Sequence, residues 1–299
     1  MNKLKFTVFI PAYNEEANIG NLLNSISRQR FARTTLEKIV VVASGCTDKT
    51  EAIVRRQAAN NKLIALWRQT ERSGKISAIN LFLRQDKSQL TVMTGADLLL
   101  SPDCLERLIL PFTNPVIGMT GAKIISTNSE PTFLGFANRT IWQMHARMAV
   151  KYPRLGEIVA FRRIFKSLPA DTICDEAAIE SLIKNAGLKT LFVPQALAYN
   201  YGPTTWKEYL SRRRNIHVGH YLIKRKWKQA VISEKKFILL KYWWRQFAAE
   251  PENRYRLLKL IIVEAATRLL AAFDYRRGRH EVVWPVARSA KKPVSKKQK

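Results

Sequence analysis

Apolar residues along the first hundred positions fall into short continuous runs that alternate with helical stripes. Residues 4–10 read as one buried strand stopped by Pro11, and residues 15–28 then carry Ile19, Leu22, Leu23 and Ile26 at helical spacing. The pattern recurs: 38–43 (KIVVVA) is a strand, 44–48 a turn and 50–60 a helix. A strand at 63–67, a turn at Gly74, a helix at 75–84 and a strand at 90–94 follow. This alternation predicts an α/β fold, a mostly parallel sheet flanked by helices on both faces. Ligands of such sheets bind outside the carboxyl ends of the strands, so the polar segments after each strand are expected to converge.

Beyond Pro102 the reading is a short helix, an extended stretch at 116–126, a helix at 131–152, an extended segment at 156–161, a helix at 175–185 and a strand at 188–193. From Thr205 the pattern turns helical with basic faces. Two stretches, FILLKYWWRQFAA (237–249) and LLKLIIVEAATRLLAAF (257–273), interrupt apolar runs with charges, as amphipathic helices do. Such helices suit either an anionic membrane surface or packing against the rest of the fold. The division expected is a catalytic domain at 1–220, a basic helical region at 221–288 and a disordered basic tail at 289–299.

Charge sharpens that division. The 299 residues hold 51 Lys plus Arg against 23 Asp plus Glu, a net charge of +28. Residues 207–299 contribute 25 basic and 7 acidic side chains, so +18 lies there and only +10 in the first 206 residues. Hydrophobic residues at 46% argue for a folded chain. Cys46, Cys104 and Cys174 form no CxxC pair and suggest neither a disulfide framework nor a zinc site. The opening apolar run is short and lacks a cleavage site, and no stretch has the length of a spanning helix, so a cytoplasmic or membrane-surface protein is expected.

Four strand ends carry candidate chemistry. Pro11-Ala12-Tyr13-Asn14-Glu15-Glu16 offers an aromatic ring that can stack on a base, although a turn with a helix start would need the same residues. Ser44-Gly45-Cys46-Thr47-Asp48 is a glycine turn with helix-capping residues. Arg72-Ser73-Gly74-Lys75 is a basic turn opening a helix, which suits a diphosphate. Thr94-Gly95-Ala96-Asp97 presents a carboxylate that can hold a divalent metal bridging phosphates.

In order, PAYNEE, SGCTDKT, RSGKISAIN, TGAD, GEIVAFRR, CDEAAIE and SRRRNIHVGH resemble the successive motifs of inverting family-2 glycosyltransferases of GT-A (Rossmann-like) fold, over roughly residues 5–220. The resemblance implies a nucleotide-sugar donor, a divalent metal (Mg²⁺ or Mn²⁺) and transfer with inversion. It places Pro11, Tyr13, Glu15 and Ser44 at the nucleoside, Lys75 at the diphosphate, and Asp97 at both donor and metal. Gly95 and Ser44 stand where relatives have Asp, which speaks against an ordinary uridine-diphosphate donor. Asp175-Glu176 matches the family's catalytic pair in reversed order, with Glu176 in the general-base place and Asp175 as the alternative. Arg214 matches an Arg that pairs with the pyrophosphate, while Ser211 and Asn215 replace its usual Gln and Trp neighbours. His217 and His220 read as packing residues. A stretch like 274–284 also occurs in related members.

The function expected is therefore transfer to a lipid-linked or cell-envelope glycan acceptor at the inner face of the cell membrane. The surplus charge is assigned to anionic lipid and not to nucleic acid; the alternatives are a catalytically weak glycosyltransferase-like scaffold and, behind it, a nucleic-acid-binding protein.

Overall fold

The computed structural model describes residues 3–129, 131–228, 236–279 and 281–294. The strands are β1 (Leu4–Ala12), β2 (Thr34–Ser44), β3 (Ile64–Gln69), β4 (Leu90–Thr94), β5 (Leu99–Leu100), β6 (Ile117–Ser126), β7 (Ile158–Arg162) and β8 (Lys189–Asn200). The helices are α1 (Ile19–Ser27), α2 (Thr50–Asn60), α3 (Lys75–Gln85), α4 (Cys104–Ile109), α5 (Phe133–Lys151), α6 (Asp175–Asn185), α7 (Trp206–Trp227), α8 (Lys236–Ala249) and α9 (Arg254–Arg276). One sheet joins the strands in the order β3-β2-β1-β4-β7-β6-β8-β5. Only β5 and β7 run against the rest, so the expectation of a mostly parallel sheet holds.

The continuous apolar runs follow from burial on both faces. Successive strand side chains point to opposite sides: Phe6, Val8 and Ile10 enter one core with α1, α2 and α4. Phe9 enters the other, where it stacks on Phe82 of α3 at 4.5 Å.

The reversal at β7 matters most for the site. Its antiparallel register sets Ile158 opposite Thr94. Residues before β7 thereby reach the sheet edge at which β1, β2, β4 and β8 end, and the Gly95 amide donates to the Glu157 carbonyl at 3.1 Å.

Two expectations about the C-terminal region change. The boundary at 220 falls inside α7, which runs unbroken to Trp227 and packs along α9. The disordered tail at 289–299 is docked wherever it is described, through residue 294: Ala290 and Val294 are buried, and the Val294 amide donates to Asn18 Oδ1 at 3.2 Å. Its polar composition hides these contacts because they are made by backbone, one serine, one lysine and two apolar side chains. Residues 295–299 lie outside the described residues.

Candidate active site

The loops after β1 and β2 are tied into one wall. Asn14 adopts left-handed backbone and exchanges hydrogen bonds with Thr47, while the Glu15 amide donates to Thr50 Oγ1 at 2.7 Å. Gly45 has φ +62°, and a Cβ there would lie 2.4 Å from the Arg72 nitrogen, so only glycine lets the turns after β2 and β3 close on each other. Ser44 bridges the same turns: its hydroxyl donates to the Glu71 carbonyl and accepts from the Ser73 amide, both at 3.2 Å. Ser44 therefore lines the crevice, but its polar group is taken up by the Arg72-Ser73-Gly74 turn.

The wall opens on a crevice of about 860 Å³. Pro11, Tyr13, Glu15, Ser44, Lys75, Asp97, Asp175 and Glu176 all line it, so eight of the nine expected site residues are brought together. The Tyr13 ring carries the Arg72 guanidinium at 4.3 Å. Lys75, the first residue of α3, reaches Asp175 Oδ2 at 2.7 Å and Glu176 Oε1 at 3.2 Å across the crevice. Burial opposes the Lys75 charge, but the two carboxylates outweigh it and hold the ammonium well above its ordinary pKa.

Asp175 and Glu176 form the first turn of α6. Burial, then the charge of Glu176, push Asp175 up to about 7 against the pull of Lys75. Burial acts on Glu176 as well, yet Lys75, its own backbone amide and a hydrogen bond from Asp175 hold it below the usual carboxylate range. A proton on this pair thus rests on Asp175 and leaves Glu176 ionised, and Glu176 is the more open to the crevice, its side chain 19% exposed against 6% for Asp175.

Asp97 has no hydrogen-bond or ion-pair partner among the described residues and lies between two other carboxylates. Glu15 is pushed up to about 7 by burial, with Asp97 adding and Lys291 opposing. Glu157 is likewise pushed up to about 7 by burial, with Arg212 opposing and Asp97 adding. A surplus of negative charge around a free carboxylate fits a divalent cation held by one protein ligand and phosphate oxygens. Gly95 leaves room for it, since a Cβ there would meet Asp97 Oδ1 at 2.7 Å.

Arg214 is the exception. It turns away from the crevice to Asp274 of α9, at 2.5 and 2.9 Å. Successive helical residues point about 100° apart, and the Arg run of α7 splays accordingly. Arg213 grips Glu264, while Arg212 faces inward and binds Glu157 Oε1 at 2.5 Å. Glu157 also accepts from Asn200 Nδ2 at 2.8 Å. Glu157, Arg212 and Asn200 were not singled out by the sequence, and a lone carboxylate at the mouth of the apolar IVAF run was the available signal.

The C-terminal segment closes the other side. Arg72 Nη2 donates to the Trp284 carbonyl at 2.6 Å, and Ser289 is held by Glu208 of α7. Lys291 donates to the carbonyls of Tyr13 and Asn14 and to Glu15 Oε1, at 2.5 to 2.6 Å. His217 and His220 are buried and held neutral by desolvation, in keeping with packing roles.

The family model described as glycosyl transferase family 2 matches residues 7–169. An N-acetylglucosaminyltransferase of Sinorhizobium fredii is 22% identical over 229 residues, 69% of this chain and 55% of that protein. One from Bradyrhizobium diazoefficiens is 23% identical over 229 residues, 47% of its length. The chain thus spans about half the length of these relatives. Among solved structures, the mannosyltransferase PcManGT from Pyrobaculum calidifontis, in complex with GDP-Man and Mn²⁺, superposes with a TM-score of 0.61 at 24% identity, covering 93% of this chain and 83% of that one. Residues 1–349 of Staphylococcus aureus TarS, in complex with UDP, give 0.53 at 18% identity, covering 92% of each. These likenesses establish the fold.

Proposed function

The chain belongs to glycosyl transferase family 2 and has the GT-A fold, and from that premise we propose that it is an inverting glycosyltransferase moving a sugar from a nucleotide donor to an acceptor hydroxyl or phosphate. The observation that carries this reading is the convergence of Tyr13, Lys75, Asp97 and the Asp175–Glu176 pair on one crevice at the carboxyl ends of β1 and β4. GDP-Man and UDP are bound by the two structural neighbours, and Ser44, engaged with its own turn, leaves the choice of base to other groups.

In this reading the base lies against the Tyr13 wall and the diphosphate lies between Lys75 and Asp97. A divalent metal held by Asp97 would offset the charge of the departing diphosphate. Glu176 takes the proton of an acceptor hydroxyl as that oxygen attacks the anomeric carbon. The carbon–oxygen bond to the diphosphate breaks on the opposite face, and one displacement inverts the centre. Lys75 keeps Glu176 ionised beforehand, and the proton that burial favours rests on Asp175.

The same reading places the protein on the inner face of the cell membrane, with a lipid-linked or envelope glycan as acceptor. It draws support from α8 and α9. Phe237, Leu240 and Trp244 of α8 are exposed at one-turn spacing, as are Tyr255, Leu258 and Ile262 of α9, beside Lys241, Arg245, Arg254 and Lys259. No helix among the described residues is long and apolar enough to cross a membrane.

The test is transfer and donor hydrolysis with GDP- and UDP-sugars in Mg²⁺ or Mn²⁺, in wild type, Asp97→Ala and Glu176→Gln. Activity that disappears in both variants supports the reading. Full activity in both would remove the site assignment.

A further inference from the structure

Several cations around the crevice meet carboxylates of the fold. Lys75 has Asp175 and Glu176, Arg212 has Glu157, Arg213 has Glu264, and Lys291 has Glu15. Arg154, in the loop between α5 and β7, is different. It is half-buried in the crevice wall, and among the described residues its guanidinium finds only a ring nitrogen, His220 Nε2 at 3.1 Å. Facing a guanidinium, that nitrogen must accept, so His220 is neutral and brings no counter-charge.

The surroundings are unfavourable to the cation. Burial and then the positive charge of Arg213 push Arg154 down to about 10, and the opposing pull of Cys174 and of Glu180, whose carboxylate is paired with Lys184, does not offset them. Arg154 in turn adds to the burial that holds His145 neutral, down to about 3, and the Nδ1 of that nine-tenths-buried ring has no hydrogen-bond partner among the described residues. A guanidinium partly drawn out of water with no carboxylate in contact among the described residues weakens the fold, and an apolar side chain would pack there at lower cost. Such a residue makes sense when a ligand supplies the missing charge.

Arg154 sits away from the nucleoside wall. The donor loops follow β1 to β4, whereas Arg154 precedes β7 and lies near Cys174, the residue just before the Asp175–Glu176 pair. That is the acceptor half of the crevice. Ile141, Met144 and Met148 of α5 and Leu239 and Trp243 of α8 continue this half as an apolar surface.

We propose that Arg154 binds a phosphate of the acceptor, and that the acceptor carries this phosphate on an apolar chain running along α5 and α8. Guanidinium and phosphate match in a two-pronged hydrogen-bond geometry. No bond to this phosphate is made or broken. It anchors the acceptor while a hydroxyl of the same molecule faces Glu176. The inference rests on the glycosyltransferase reading for the meaning of "acceptor" and, for the site itself, on a crevice cation that no carboxylate contacts among the described residues.

The experiment is a calorimetric titration of the full chain with dodecyl phosphate below its micellar concentration, with dodecanol and inorganic phosphate as comparison ligands. Wild type is expected to bind dodecyl phosphate more tightly than either. Arg154→Met and Arg154→Gln are expected to lose about ten- to a hundredfold in that affinity, the size of a charge-assisted pair, and Arg154→Lys to recover part of it. Both neutral variants should keep or raise the wild-type melting temperature, because they remove an unbalanced charge. A fall in melting temperature with unchanged dodecyl phosphate affinity would show Arg154 to be structural and overturn the proposal. Equal affinity of wild type for dodecyl phosphate and dodecanol overturns the phosphate, and equal affinity for inorganic phosphate overturns the apolar chain. Nucleotide binding with Mn²⁺ is measured alongside. Alkyl phosphate binding without nucleotide binding removes the glycosyltransferase reading and leaves the site, and the reverse pattern removes the site alone.

Discussion

At the residue scale the Asp175–Glu176 pair makes the sharpest prediction. Asp175 is pushed up to about 7 by burial and by Glu176, so its carboxyl loses a proton around neutrality. Glu176 is held below the usual carboxylate range and is already ionised there, so transfer is expected to persist below pH 7 and to fall only as Glu176 itself is protonated. Glu176→Gln should lower kcat by about 10²- to 10⁴-fold, the usual worth of a general base, with nucleotide affinity kept. Asp175→Asn should retain most of kcat above neutrality. If instead Asp175→Asn abolishes transfer and Glu176→Gln keeps it, the two roles are exchanged. Asp97 makes a second prediction: Asp97→Asn removes the free carboxylate among Glu15 and Glu157. Equilibrium binding of Mn²⁺ in the presence of nucleotide should weaken at least tenfold, and unchanged Mn²⁺ affinity would dismiss Asp97 as a ligand. Residue identities carried much of this, since the carboxylates and Lys75 are visible in the chain. Their coupling was not, because Lys75 and Glu176 are 101 positions apart and meet only across the crevice.

At the scale of elements, α7 and α9 are joined through one buried carboxylate. Glu264 of α9 takes both prongs of Arg213, at 2.8 and 2.5 Å, and a hydrogen bond from the Tyr209 hydroxyl at 3.2 Å. Burial would raise its pKa, but Arg213 and His217 hold it far below the ordinary glutamate value. A carboxyl depressed in the folded state contributes stability that is full above its unfolded pKa and is lost as pH falls through the folded one. Glu264→Gln should therefore cost about 3–5 kcal/mol at neutral pH, since it strands a buried guanidinium. That deficit should shrink as denaturant melts are repeated at pH values descending below about 4.3. A pH-independent deficit would assign the loss to packing. The C-terminal segment is an element too, and its clasp is Lys291 on the carbonyls of Tyr13 and Asn14 and on Glu15. Lys291→Ala should speed amide hydrogen exchange at 289–294 while leaving α9 unchanged; equal rates in both proteins would mean that Ser289 and Val294 hold the segment without it. The chain's spelling hid this element, because KKP after Ala290 has the composition of a loose tail. It also hid which Arg of 212–214 faces the ligand, because that depends on the rotation of α7 about its axis once its apolar side has packed.

At the scale of the whole molecule, the +28 is divided. Much of the positive charge around the crevice is met by carboxylates, while α8 and α9 display exposed Lys and Arg beside Phe237, Leu240, Trp244 and Ile262. The full chain is expected to float with vesicles of anionic lipid at low salt, to be released as salt rises, and to ignore neutral vesicles. Leu240→Ser with Trp244→Ser should weaken flotation without changing the melting temperature, and flotation that survives both would place the lipid contact elsewhere. The alternating pattern of runs and stripes determined the fold class and the four loops at the carboxyl edge of the sheet, because buried strands and amphipathic helices write their periods directly into the sequence. Only the tertiary structure decided the rest. The reversed direction of β7 brings Arg154 and Glu157 to the site from a position before a strand, the rotation of α7 exchanges Arg214 for Arg212, and the docking of 289–294 delivers Lys291 to the loop after β1. Each of these depends on the direction or rotation of a packed element relative to a distant one, and local periodicity carries no record of that.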